Sequence, residues 1–106
     1  MKEKKIRKIK KIEKINLVCK SHLKKYFRLT SKALKIAKKA MNKKKKKEAL
    51  VVIDMAQRYY DDAKYFESKG HMVNAFAALN YAHGWLDCGS RLGFFRVKDS
   101  KLFVVK

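Results

Sequence analysis

Four polar residues follow one face of a segment that is otherwise apolar: Asn80, His83, Asp87 and Arg91. On an α-helix they fall within a sector of about 80°. His83 to Asp87 and Asp87 to Arg91 are both steps of four residues, so a carboxylate can orient an imidazole beside a guanidinium. This pattern suits proton transfer or anion binding, and it makes the four residues ligand-binding candidates. We favour a simpler interpretation, a hydrogen-bonded network at a partly buried helix face.

Histidine and cysteine spacing argues against a metal site. Cys19 and His22 are three residues apart and could share an ion on a helix. His83 and Cys88, however, are five apart, about 140° around the axis, and cannot converge from one regular helix. Short Cys-Cys pairs are also missing from the sequence. No metal is therefore predicted.

The aspartates give no stronger signal. Asp54 and Asp61 lie about 20° apart on a helix, whereas Asp62 is about 100° from Asp61, so a surface acid pair explains them better than a magnesium site. The chain has no glycine-rich phosphate loop and no Ser-His-Asp arrangement. We therefore predict a protein that is not an enzyme and needs no cofactor.

The distribution of charge is the clearest functional signal. The formal net charge is +20: residues 1–47 hold 21 Lys and Arg against two acids, a net +19, and residues 48–106 hold 8 against 7, a net +1. Lysine enrichment of thermophilic type normally raises Glu as well, and Glu is scarce here. A basic half of this kind is attracted to phosphate polymers. The polyanion-binding candidates are Lys8, Lys10, Lys11, Lys14, Lys43, Lys44, Lys45, Lys46 and Lys47.

Apolar periodicity predicts three helices in one domain, residues 17–106, preceded by a basic extension, residues 1–16. In the extension Ile recurs every three residues, so its stripe spirals around a helix and offers no constant packing face. Residues 17–41 and about 46–69 read as amphipathic helices, the second closed by Gly70. Residues 71–94 are apolar over much of the helix circumference, which predicts a segment buried between neighbours.

The predicted fold is all-α: a three-helix antiparallel bundle made of a tetratricopeptide-like hairpin and a long basic N-terminal helix. A seam of small residues on the third helix predicts close helix approach: Ala75, Ala78, Ala82, Gly89 and Gly93. The final residues, FFRVKDSKLFVVK, fit either a short extended tail packed on the bundle or a small hairpin.

The predicted second and third helices contain the segment MAQRYYDDAKYFESKGHMVNAFAALNYAHGWLDCGSRLG, and LFVV follows near the end of the sequence. This stretch, about residues 51–105, resembles the archaeal domain-of-unknown-function family 357, with its A…Y..DA..F..KG hairpin, YA.GWLD segment and terminal LF. The resemblance implies an archaeal, cytoplasmic, helical-hairpin protein. It implies no activity.

Two cysteines are too few for a disulfide framework, no signal peptide is apparent, and no stretch approaches the roughly 18 apolar residues of a membrane span. We therefore expect a cytoplasmic protein that does not enter membranes. The leading hypothesis is a module that binds RNA or another polyanion. The alternatives are an interaction scaffold for an acidic or amphipathic partner helix, with homodimerisation through the third helix in the same class, and a small-ligand or enzymatic site on that helix.

Overall fold

The computed structural model describes residues 19–97 and Phe103. The order of elements is α1 (Lys20–Lys39), a 3-10 turn (Lys43–Lys45), α2 (Lys46–Ser68) and α3 (Met72–Arg91). All three helices pack on one another, and the most extensive contact joins α2 to α3. The predicted all-α three-helix fold is confirmed. The basic extension, residues 1–16, lies outside the described residues.

Helix α1 is amphipathic as predicted. It buries Leu23, Thr30, Ala33, Leu34 and Ala37, and its lysines are exposed. The predicted range, residues 17–41, is longer than the helix, because exposed Cys19 is the residue that caps the helix and Ala40 is the residue that ends it. Because of this amphipathic pattern, α1 covers α2 and α3 with its apolar face and presents its cations on the opposite face.

Helices α2 and α3 both end in a Schellman motif, in which a glycine at positive φ lets the chain turn away. Gly70 has φ 78°, and the N–H of His71 donates to the carbonyl of Phe66 at 2.9 Å. Gly93 has φ 77°, and the N–H of Phe94 donates to the carbonyl of Gly89 at 2.8 Å. The prediction that Gly70 ends the second helix is confirmed. The prediction that Gly93 belongs to the row of small residues within the third helix was wrong.

The core divides into two clusters that meet at half-buried Tyr60. The smaller cluster joins the start of α1 to the α2–α3 turn and consists of Leu23, Ala63, Ala75, Ala78 and Leu79. The larger one occupies the other end of the bundle and consists of Ala33, Leu34, Ala37, Ala49, Val52, Ile53, Ala56, Leu86, Phe95 and Phe103. Alanine is the commonest core residue, which allows close approach of the helix axes.

The segment after α3 is extended and closes the bundle by pairing with the α1–α2 connection. Met41 and Phe95 form an isolated antiparallel bridge, and the N–H of Arg96 donates to the carbonyl of Ala40 at 2.8 Å. Asn42 strengthens this junction, because its N–H donates to Phe94 and its side-chain amide donates to Gly93. The extended-tail alternative is therefore confirmed for residues 94–97. Most of the predicted second half of the hairpin lies outside the described residues.

Helix α3 is only half covered, so the expectation that it would be buried between neighbours was partly wrong. Its inner face buries the small residues Ala75, Ala78, Ala82 and Gly89 together with Leu79 and Leu86. The outer face leaves Val73 and Tyr81 66% and 63% exposed. Within the described part of the chain, no helix is long and apolar enough to cross a membrane.

We expect Gly89→Ala to destabilise the domain by about 1–3 kcal/mol, because the new Cβ would overlap the ring of Phe95 and lie 3.0 Å from a methyl group of Val52. Gly84→Ala on the same helix is the control. Nothing lies within 4 Å of a Cβ there, so helix propensity should stabilise this variant by up to about 1 kcal/mol. Urea unfolding of dilute protein measures both. Equal effects at the two positions would contradict the packing of Phe95 on Gly89.

Candidate polyanion-binding surface

The outward surface of α1 carries a continuous set of cations, here called the basic face. Its members are all exposed: Lys20, Lys24, Lys25, Arg28, Lys32, Lys35, Lys38 and Lys39. They occupy an arc of about 140° around the helix axis. No Asp or Glu occurs between Glu13 and Glu48. No acidic residue within residues 14–47 therefore neutralises the basic face.

The lysine turn, residues 43–47, continues this surface from the 3-10 turn into the first turn of α2. All five lysines are exposed. The ammonium group of Lys45 donates to the carbonyl of Leu92 at 3.0 Å and lies 5.8 Å from the centre of the Phe94 ring. The other predicted polyanion-binding residues, Lys8, Lys10, Lys11 and Lys14, lie outside the described residues.

The position of the lysine turn opposes the stability of α2. The first turn of a helix carries a partial positive charge from its free N–H groups, so cations there are unfavourable. Lys46 and Lys47 lie in that turn and only Glu48 offsets them. Neighbouring lysines also repel one another. A bound anion would offset both penalties, because its negative charge would lie beside the ammonium groups and the positive end of the helix.

The aromatic residues of α1 are engaged in packing. Tyr26 meets Phe76 edge to face at 5.2 Å between ring centres, and Phe27 meets Tyr60 in the same way at 5.7 Å. The basic face itself consists of Lys and Arg. Base stacking, the usual means of binding unpaired nucleotides, therefore has no aromatic platform among the residues of that face.

Three of the four polar residues predicted on the third helix border a groove between α1 and α3. Its volume is about 290 Å³. Asn80, His83 and Asp87 line it on the α3 side, and Tyr26 and Thr30 line it on the α1 side. His83 Nε2 lies 3.7 Å from Asp87 Oδ1, an ion pair only when the imidazole is protonated, and both side chains are roughly 30% exposed. The structure thus orients an imidazole beside a carboxylate.

Arg91, the fourth member, is exposed and borders a different, shallow depression formed with Asp87, Cys88 and Leu92. The structure therefore does not bring the predicted stripe together as one site. In the described part of the chain, every fully buried side-chain nitrogen or oxygen has a hydrogen-bond partner. The stripe consequently fits a polar edge of the α1–α3 contact.

Cys19 is the most chemically distinctive side chain near the basic face, although in the sequence only its spacing from His22 marks it. Its sulfur lies 3.1 Å from His22 Nδ1 and 3.4 Å from the Ser21 hydroxyl. Hydrogen bonds from the Ser21 side chain and from the backbone at His22 lower the pKa of this exposed thiol. Among the described residues, no three His, Cys, Asp or Glu side chains come together as a metal site.

The aspartates of α2 make local surface interactions. Asp54 pairs with Arg58 at 2.9 Å, and Asp61 accepts a hydrogen bond from Gln57 at 3.0 Å. Asp62 lines a separate groove between α2 and α3. The prediction that the aspartates form surface acid groups agrees with these partners.

A search of curated proteins returned no match, and neither did a search of solved structures. A scan of family models matched residues 25–95 to the family described as "Protein of unknown function (DUF357)". The matched region begins within α1, earlier than the resemblance seen in the sequence. It therefore includes most of the basic face and all of the lysine turn, while it ends before the terminal LF. A match over this much of the sequence establishes that the chain belongs to the DUF357 family, whose function is unknown.

Proposed function

We propose that this protein is a non-enzymatic module that binds RNA through the phosphate backbone, using the basic face and the lysine turn. One observation carries the proposal: residues 19–47 contain thirteen Lys and Arg, all exposed, and no Asp or Glu. Each phosphate that a lysine neutralises releases a condensed counterion, and this release supplies most of the affinity of non-specific binding.

The basic face is suited to reading shape. A helix of twenty residues is about 30 Å long, which spans several phosphates of a nucleic acid strand. Contacts to phosphates fix orientation and carry no sequence information. Because Tyr26 and Phe27 pack against other aromatic rings, base stacking adds nothing to the proposed contact. We therefore expect affinity for RNA with little preference for sequence.

The lysine turn favours a polyanion over a merely solvated surface. Lysines that serve only solubility cost least stability at positions where the helix dipole does not repel a cation, in the middle of a helix or in its last turn. Here five adjoin one another, and two occupy the first turn of α2. An acidic protein partner would also relieve this repulsion, so the experiment below must separate the two classes of partner.

We expect Lys46→Gln/Lys47→Gln to weaken binding of a fluorescein-labelled RNA hairpin by about tenfold, and to reduce the slope of log affinity against log salt by about two. Fluorescence anisotropy across a KCl series measures both quantities. The control is Lys64→Gln/Lys69→Gln at the other end of α2, where each ammonium group lies over a tyrosine ring. The control should bind RNA as the wild type does.

The same experiment distinguishes the proposed RNA from an acidic protein. Poly-glutamate of matched charge should compete poorly, because it lacks phosphates on a stiff backbone. Equal binding of RNA and poly-glutamate, or RNA affinity that does not depend on salt, would overturn the proposal. Equal losses in the two double variants would also overturn it, because the effect would then reflect net charge alone.

Removal of residues 1–16 should lower RNA affinity markedly while leaving the thermal unfolding midpoint nearly unchanged. The removed residues include Lys8, Lys10, Lys11 and Lys14, and the spiralling isoleucines give no constant face for packing. Circular dichroism and the anisotropy assay measure the two quantities. A large fall in the midpoint would show instead that the extension belongs to the folded domain.

We expect Asp87→Asn and His83→Gln to leave RNA binding unchanged and to cost less than about 1 kcal/mol of unfolding free energy. The reason is that both side chains remain partly exposed, and ion pairs of this kind contribute little. Urea unfolding and anisotropy provide the measurements. Loss of RNA binding in both stable variants would move the site from the basic face to the α1–α3 groove.

A further inference from the structure

The outer face of α3 is apolar and exposed although the chain as a whole is highly charged. Residues 70–86 contain no Lys, Arg, Asp or Glu. On this face a depression of about 650 Å³ is lined by Ala77, Asn80, Tyr81, Gly84, Trp85 and Cys88. An exposed apolar surface flanked by polar residues is typical of an interaction site.

Gly84 lies in the middle of this face, and its own fold does not require a glycine. It has no positive φ, and nothing lies within 4 Å of the Cβ that another residue would place there. A glycine inside a helix costs about 1 kcal/mol relative to alanine. The close approach of a second backbone or ring from outside the molecule would account for that cost.

Six exposed residues of this face follow a heptad pattern, with steps of three and four residues. We define the α3 seam by these six exposed residues: Asn74, Ala77, Tyr81, Gly84, Cys88 and Arg91. They lie within a band of about 100° that is turned away from the buried Ala75, Ala82 and Leu86. A heptad face is the geometry with which one helix packs along another.

The order of residues in the seam is complementary to itself when two copies run antiparallel. One face of the Tyr81 ring stacks on Tyr59 of the same chain at 5.2 Å between ring centres. With the two-fold axis midway between Tyr81 and Gly84, the rest of that ring meets the open backbone of Gly84 in the second copy. Ala77 then meets Cys88, and Asn74 meets Arg91. Each residue pair occurs twice, as a two-fold interface requires. The large ring of Tyr81 thus faces a glycine, two small side chains face each other, and the guanidinium faces an amide oxygen that can accept from it.

We propose that the α3 seam is the interface of an antiparallel homodimer. The self-complementary order of residues points to a second copy as the occupant, and the near-absence of charge makes the seam the surface on which two copies can meet. Two chains of net charge +20 repel one another wherever basic surfaces meet, and the seam is uncharged except for Arg91 at its end. An acidic partner would find no cation along most of the seam. A single helix pair is at the small end of specific interfaces, so the dimer forms reversibly with concentration.

The first test is sedimentation velocity over a concentration series, on nuclease-treated protein at high salt so that no polyanion joins two chains. The wild type should shift from monomer to dimer. Cys88→Lys should raise the dimer dissociation constant at least tenfold, because it buries two new charges in the seam. Cys19→Lys adds the same charge outside the seam, at another exposed cysteine, and should dimerise as the wild type does.

The second test determines the register. In a Cys19→Ser background, Ala77→Cys should form a covalent dimer on oxidation with diamide, through a disulfide to Cys88 of the second copy. Cys19→Ser alone should not, because the two Cys88 residues would lie about 16 Å apart along the axis, beyond the reach of a disulfide. Val51→Cys, exposed on α2, is the control for random collision.

Three outcomes would overturn the proposal. One is a wild type that remains monomeric at every concentration. Another is an equal effect of Cys88→Lys and Cys19→Lys in folded protein. The third is efficient cross-linking of Cys19→Ser alone, which would require parallel helices or another contact.

Discussion

The close packing of α2 against α3 determines where everything else in the domain lies. Alanines form much of this contact: Ala56 and Ala63 on α2 and Ala75 and Ala82 on α3 are fully buried. Small side chains let two helices approach closely, but each removes little apolar area from water. Two such helices cannot supply a sufficient core alone. Larger side chains complete the core, some from α2 and α3 themselves and the others from α1 and from beyond α3: Val52, Ile53, Leu79, Leu86, Leu23, Leu34, Phe95 and Phe103.

This dependence connects the fold to the proposed function. Because α1 must cover the alanine contact, its inner face is fixed and its basic face is held in one orientation. The residues around Asn42 then hold the C-terminal segment against the end of α1, with hydrogen bonds from Asn42 to Phe94 and Gly93. A basic face mounted on a rigid helix loses less conformational entropy on binding than a free arm of the same charge. The lysine turn, which costs α2 some stability, lies at the same junction.

The fold could be predicted because helix periodicity shows which face of each helix is apolar. The site could be predicted only in part, because periodicity does not show which other element packs against a given face. The stripe of α1 and the glycine that ends α2 follow from spacing and from conformational freedom. Gly93 was misplaced because a seam glycine and a C-terminal glycine look alike in sequence, and only the positive φ separates them. The stripe from Asn80 to Arg91 was split because α1 borders just part of its length. The apolar sequence of α3 predicts that its surface is buried, but it does not show which element covers that surface. In the structure, part of that surface faces solvent.

The proposed dimer and the proposed RNA contact are coupled through charge. The α3 seam lies on the outer face of α3, whereas the basic face lies on the solvent side of α1. Dimer formation through the α3 seam therefore does not block RNA binding by the basic face. Bringing two basic chains together costs electrostatic free energy, and neutralisation by phosphates reduces that cost. If bound RNA strengthens dimer formation by a given factor, thermodynamic linkage requires the dimer to bind RNA more tightly than the monomer by the same factor. A dimer also presents two basic faces to one strand, which raises the effective concentration of the second contact. In this arrangement the α3 seam, uncharged except for Arg91, is the part of the surface that makes self-association compatible with a charge of +20.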